Sequence, residues 1–175
     1  MQLRYKSIKK MLISKKKQFL SFLLLAIIFG IIDQIAKEIV RQMLVPGREI
    51  VLITDFLSIT LIENRGISFG LLSNLDSFYK LIFLNVIPLF FVIGITIYSY
   101  VQWNNIHRIE RTSFMLIIGG ASGNLYDRFL FGSVTDFTQF KFFGETLFIN
   151  NLADDFISIG IGCLVFANFK YSSKH

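Results

Sequence analysis

Residues 19–32 read FLSFLLLAIIFGII, and residues 33–37, DQIAK, carry the same helical pattern on into charge. About 20 apolar residues cover the roughly 30 Å hydrocarbon core of a bilayer as a helix. A secretory signal peptide also begins with a basic region and an apolar run. Here no small-x-small cleavage site follows, and the pattern continues through Asp33 and Lys37. The stretch therefore reads as a retained membrane helix over about 19–40.

Composition agrees. The 175 residues are 53% hydrophobic and 15% aromatic, with a mean hydropathy of +0.58. That is too apolar for an ordinary soluble domain, and the length suits a single integral membrane domain over 1–175. The net charge of +6 does not point to nucleic acid. Arg4, Lys6, Lys9, Lys10, Lys15, Lys16 and Lys17 precede the apolar run, and the rest of the chain is close to neutral. Such a basic arm, 1–18, suits an anionic lipid surface, whereas nucleic acid asks for a basic groove with stacking aromatics. The single Cys163 excludes an internal disulfide and reads as a small packed hydrophobe.

Three further runs are long enough to span: about 79–101, 113–131 and 152–169. The expected fold is thus an α-helical membrane protein with four transmembrane helices. Positive charge marks the arm, the short loop with Arg108 and Arg111, and the tail with Lys170 and Lys174, which places all three, and both termini, in the cytoplasm. The connections about 41–78 and 132–151 then face outward. Within the first, Ser58 and Thr60 alternate with Leu57, Ile59 and Leu61. This period of two predicts short strands over about 45–65, lying on the outer membrane surface between the turns PGRE and NRG.

Charge inside such a chain needs explaining, because an ionised side chain in a transmembrane helix costs roughly 2.5–3.5 kcal/mol on insertion scales. A helix rises about 1.5 Å per residue, which places Asp33 and Asp127 at similar depth toward the outer leaflet. Asp136, which follows the third helix after a turn at Gly132, and Asp154, which begins the fourth, fall in the same layer. Asn124, Asp127 and Arg128 share one helix face at i, i+3 and i+4, and Asp33 can pair with Lys37. For Asp127 with Arg128, as for Asp33 with Lys37, a pairing that only stabilises the bundle accounts for the residues. Gly119 and Gly123 form a small-xxx-small pair that admits a neighbouring backbone. Asp136 and Asp154 have no local cation. Brought together near low dielectric, two carboxyls separate in pKa, so that one acts as base on water while the other protonates a leaving group. The alternative is two solvated loop acids. No His or Cys cluster supports a metal or a thiol nucleophile.

The blocks DQIAK (33–37), NRGISFG (64–70), GGASGNLYDR (119–128), VTDF (134–137) and NLADDFISIG (151–160) resemble, in order and spacing, those of the lipoprotein signal peptidases, also called signal peptidase II or prolipoprotein signal peptidase. The resemblance covers about residues 20–169. It implies a bacterial inner-membrane aspartyl protease with four transmembrane helices, a small extracytoplasmic β-cradle, both termini in the cytoplasm and an active site near the outer face. It further implies Asp136 and Asp154 as the catalytic pair. Asp33, Gln34, Lys37, Asn64, Gly66, Asn124, Asp127, Arg128, Asn151 and Ala153 would bind substrate or support the pocket. The implied substrate is a diacylglyceryl-modified prolipoprotein, cut on the amino side of its lipidated Cys. The implied enzyme works among membrane phospholipid as a monomer, with no cofactor, metal or nucleic acid.

Several residues depart from that family's common pattern. Ala36 stands where Thr is common, Ile67 and Ser68 where Ala is, Thr135 where Val is, Asn150 where Phe is, and Asp155 where Ser is. A third carboxylate beside Asp154 matters only if it turns inward, and helical neighbours diverge by about 100°. Two other classes fit a chain with membrane carboxylates. A small proton-coupled transporter would carry its acids near the midplane, and its activity would depend on a proton gradient. A noncatalytic assembly protein would lose its fold, rather than its cleavage, when Asp136 or Asp154 is replaced.

Overall fold

The computed structural model describes residues 2–66 and 76–172; Ile67 and Ser68 lie outside the described residues. Helix α1, Gln2–Met43, is unbroken. The basic segment expected as a separate arm is thus helical from Gln2 onward. No Gly or Pro occurs before Gly30, and Lys and Leu are good helix formers, so nothing stops the helix short of Phe19. It ends just ahead of Pro46–Gly47, where Pro46 and a Gly47 at φ 85° make a tight turn closed by Arg48 N–H to the Val45 carbonyl.

The second apolar run is interrupted. Helix α2, Ser77–Leu81, leads through a π-helical turn, Ile82–Val86, into α3, Ile87–Val101. Pro88 lacks an N–H for the Leu84 carbonyl and its ring crowds that group, and the widened turn accommodates both. Helix α4, Arg108–Phe131, begins five residues earlier than its apolar run because His107 and Glu110 form a capping box, the Glu110 carboxylate accepting the His107 N–H at 2.7 Å. It ends at Gly132, whose φ of 71° suits a residue without a Cβ. Helix α5 spans Leu152–Ser172.

Among the described residues three helical stretches are long and apolar enough to cross a membrane: Leu12–Met43, Phe78–Val101 and Leu152–Tyr171. Helix α4 is the exception, since it carries Arg108, Glu110, Arg111, Asp127 and Arg128. It is central, packing against α1, α3 and α5. Glycines bring its neighbours close. A Cβ on Gly119 would lie 2.6 Å from the Ala26 carbonyl oxygen of α1, and one on Gly120 would collide with the Ala153 carbonyl of α5. On α1 the buried positions Phe22, Ala26, Asp33, Lys37 and Val40 recur at helical spacing. The chain thus buries an acid and a lysine on the same stripe as its apolar contacts.

An antiparallel sheet in the order β1-β2-β3-β4 caps one end of the bundle. Its strands are β1, Glu49–Ile53, β2, Leu57–Asn64, β3, Val134–Phe142, and β4, Glu145–Asn150. The second connection is therefore a β-hairpin and not a plain loop. Its turn places Phe143 (φ 51°) and Gly144 (φ 82°) in left-handed conformation. Val40, Leu44, Leu61 and Phe137 join the sheet to α1 in one buried apolar cluster. This contact holds β3, and with it Asp136, against the end of the bundle.

Candidate active site

The junction of β4 and α5 builds half of the site. Asn151 caps α5, its amide oxygen accepting the Asp154 N–H at 3.0 Å, as an N-cap side chain does for an otherwise unpaired helix donor. Its amide nitrogen is then free to point away from the helix, and it donates to Asp136 Oδ1 at 2.6 Å. One fully buried side chain thereby ties the strand-borne acid to the residue that begins the helix.

Strand β2 supplies the other hold on Asp136. Asn64 donates to Asp136 Oδ2 at 2.8 Å, and its own oxygen takes the Gly66 N–H at 2.9 Å. Both oxygens of Asp136, a buried residue, are thus met by amide donors. Burial pushes this carboxyl up to about 6 from its ordinary 3.8; the nearby charge of Asp154 adds to the rise, and the amides of Asn64 and Asn151 oppose it. Asp136 lines a cleft of about 490 Å³ between the end of β2 and strand β4, with Asn64, Arg65, Gly66 and Phe148 around it.

Helix α4 addresses Asp154, which is half-buried. Asn124 donates to Asp154 Oδ1 at 2.8 Å and accepts from Lys37 Nζ at 3.0 Å. Arg128 lies one turn further along α4, close enough for its charge to act on Asp154, Asp136 and Asp127. Lys37, with no exposed surface, is the hub beneath: it pairs with Asp33 at 2.7 Å and Asp127 at 3.0 Å. Asp33 in turn accepts the Ala153 N–H at 3.0 Å, and Asp127 accepts the Thr135 N–H at 3.1 Å. The ionic cluster therefore grips the main chain one residue before each of the two acids, Asp154 and Asp136.

All of the sequence-predicted residues fall in or beside this network, with one pairing corrected. Asp127 pairs with Lys37, and among the described residues no ion pair joins it to Arg128; the two side chains diverge by about 100° around α4. Gln34 stands apart from both acids, donating to the Gly123 carbonyl at 3.0 Å and to Asp33 at 3.2 Å. Gly66 and Ala153 act through their backbone N–H groups. Lys141 turns from the acids to Glu49, at 2.6 Å. Sequence reasoning missed Arg41 and Glu63. Arg41 donates to the Thr135 hydroxyl at 2.7 Å, and Glu63 accepts from that hydroxyl and from Ser133 at 3.2 and 2.7 Å. The hydroxyl at Thr135 was the available signal, since a buried one needs partners.

Comparison with known proteins gives a consistent result. The model of the family described as "Signal peptidase (SPase) II" matches residues 25–170. Proteins called lipoprotein signal peptidase are similar throughout. One from Pelagibacter ubique is 34% identical over 93% of this chain and 95% of its own length, and one from Gloeobacter violaceus is 34% identical over 87% and 84%. A solved structure described as a bacterial membrane enzyme, determined in meso at 2.3 Å, superposes with a TM-score of 0.76 at 30% identity, covering 88% of this chain and 90% of that one.

Proposed function

The chain belongs to the signal peptidase II family, and from that premise we propose that Asp136 and Asp154 are the catalytic pair of an aspartyl endopeptidase. As a member, the protein is a multi-pass bacterial membrane protease that removes signal peptides from prolipoproteins. The finer reading is that the precursor carries a diacylglyceryl-modified Cys and is cut on its amino side. The enzyme works as a monomer among phospholipid. All four long helices cross the inner membrane, both termini are cytoplasmic, and the sheet lies on the outer surface.

What supports this reading above all is the double engagement of Asn151, which donates to Asp136 and takes the Asp154 N–H. In the reaction one acid, ionised, removes a proton from water, which attacks the scissile carbonyl. The other, protonated, donates a hydrogen bond to that carbonyl oxygen and then delivers a proton to the leaving amine as the tetrahedral intermediate collapses. The roles of base and acid belong to the pair and not to either residue alone.

The test is cleavage of a lipidated precursor in proteoliposomes by wild type, Asp136→Asn and Asp154→Asn, with folding followed by thermal unfolding. Each variant is expected to remain folded and to lose essentially all cleavage. Wild-type rates in both would overturn the assignment.

A further inference from the structure

We propose that Asn150 and Asp155 form a tether that positions Asn151 and Asp154, making both of them positioning residues for the reaction. This rests on the reading of Asp136 and Asp154 as the catalytic pair. Asn150, the last residue of β4, donates from its side chain to Asp155 Oδ1 at 2.7 Å. Asp155 also sends its backbone N–H to the Asn151 carbonyl at 3.2 Å, the first turn-closing bond of α5. A single residue in the helix thus grips the two residues that precede it, one through its side chain and one through its main chain.

The grip falls at the point where an error in geometry is most damaging. Asn151 is the side chain that links the two acids, donating to the Asp136 carboxyl and accepting the Asp154 N–H. A shift of the strand–helix junction would lengthen the 2.6 Å contact to Asp136 or the 3.0 Å contact to the Asp154 N–H. Catalytic groups displaced by about 1 Å lose rate by factors near 10². Asp155 is also well placed in the helix, since an acid in the first turn interacts favourably with the free N–H groups there. Its side chain is turned to β4 while that of Asp154 is turned to Asn124 on α4, so the third carboxylate is kept out of the Asn124 contact. Each partner is half-buried, so removing one leaves the other poorly solvated, whereas removing both leaves no orphan.

This pattern predicts a double-mutant cycle. Asn150→Leu, Asp155→Leu and the double variant are compared for cleavage of a lipidated precursor, alongside Asp155→Asn, which keeps an oxygen for Asn150 to donate to. Each leucine variant is expected to lower kcat about tenfold with KM within about twofold, the double to be no worse than either single, and Asp155→Asn to recover most of the rate. Melting temperatures should move by no more than about 4 °C, so that the loss of kcat is not a loss of fold. Multiplying effects in the double variant, unchanged kcat in the singles, or losses that track melting alone would overturn the tether. Asp154→Asn in the same assay separates the two ideas. Cleavage at the wild-type rate by that variant removes the catalytic reading, whereas an inactive Asp154→Asn with unaffected leucine variants removes the tether alone.

Discussion

Lys37 and Asn124 meet at 3.0 Å across the interface of α1 and α4, the ammonium donating to the amide oxygen. That contact fixes which end of the amide faces Asp154, because an oxygen held by an ammonium leaves only the NH₂ to turn toward the carboxylate. Asn124→Leu is therefore expected to lower kcat by roughly 10- to 100-fold, the range for one hydrogen bond to a charged group, with little change in KM. Asn124→Asp should do no better, since it supplies no N–H. Steady-state cleavage of a lipidated precursor reads both.

Removing the ammonium itself is a matter of stability. Lys37→Met leaves Asp33 and Asp127 buried without their shared cation and is expected to destabilise the fold by about 3–5 kcal/mol. The triple variant Asp33→Asn, Lys37→Met, Asp127→Asn should recover most of that loss, because it leaves no unpaired charge. Thermal unfolding in detergent distinguishes the two outcomes.

Close approach of α1 to α4 depends on Gly123, where an added Cβ would stand 2.6 Å from Asp33 Oδ2. Gly123→Ala should cost about 1–3 kcal/mol, as overpacking does. It should also lower cleavage, since Asp33 holds the Ala153 N–H next to Asp154. Gly162→Ala is a suitable control, as its added Cβ meets nothing within 4 Å beyond the local backbone of its own helix.

Stability should also respond to pH through Asp136. Its carboxyl is raised from 3.8 to about 6 in the fold, chiefly by burial, so the folded state holds the proton more tightly than the unfolded chain. The resulting stabilisation is fully present below pH 3.8 and is lost as pH rises through about 6, at up to about 1.4 kcal/mol per unit. Asp136→Asn should flatten that slope. Unfolding followed at pH 4.5 and pH 7 for both proteins provides the check.

The sequence carried the helices and the acids further than it carried their partners. Asp33 and Lys37 are one helical turn apart on one helix, so their meeting was legible from spacing alone. Asp127 finds its cation on another helix, and no local rule ranks Lys37 above the adjacent Arg128. The hairpin of β3 and β4 was hidden for a related reason. A strand announces itself by apolar residues at alternate positions, but β3 places Thr135 and Asp136 among its buried residues, and what those side chains need is partners from β2, α1 and α5. The same is true of Asn150 and Asp155, which read singly as two departures and in the fold as one contact.

The pairing of Asp33 with Lys37 also bears on how such a chain enters a bilayer. Helix α1 leaves the ribosome long before α4 exists, and during that interval its two buried charges have only each other. Spaced four residues apart and paired at 2.7 Å, they enter the hydrocarbon as a neutral unit at far lower cost than either alone. Asp127 arrives later, on α4, which among the described residues is the long helix not apolar enough to qualify as a span by itself. In the folded bundle Lys37 bonds Asp127 as well, so the residue that neutralises an acid on its own helix is also the one that gives the acid of α4 its cation.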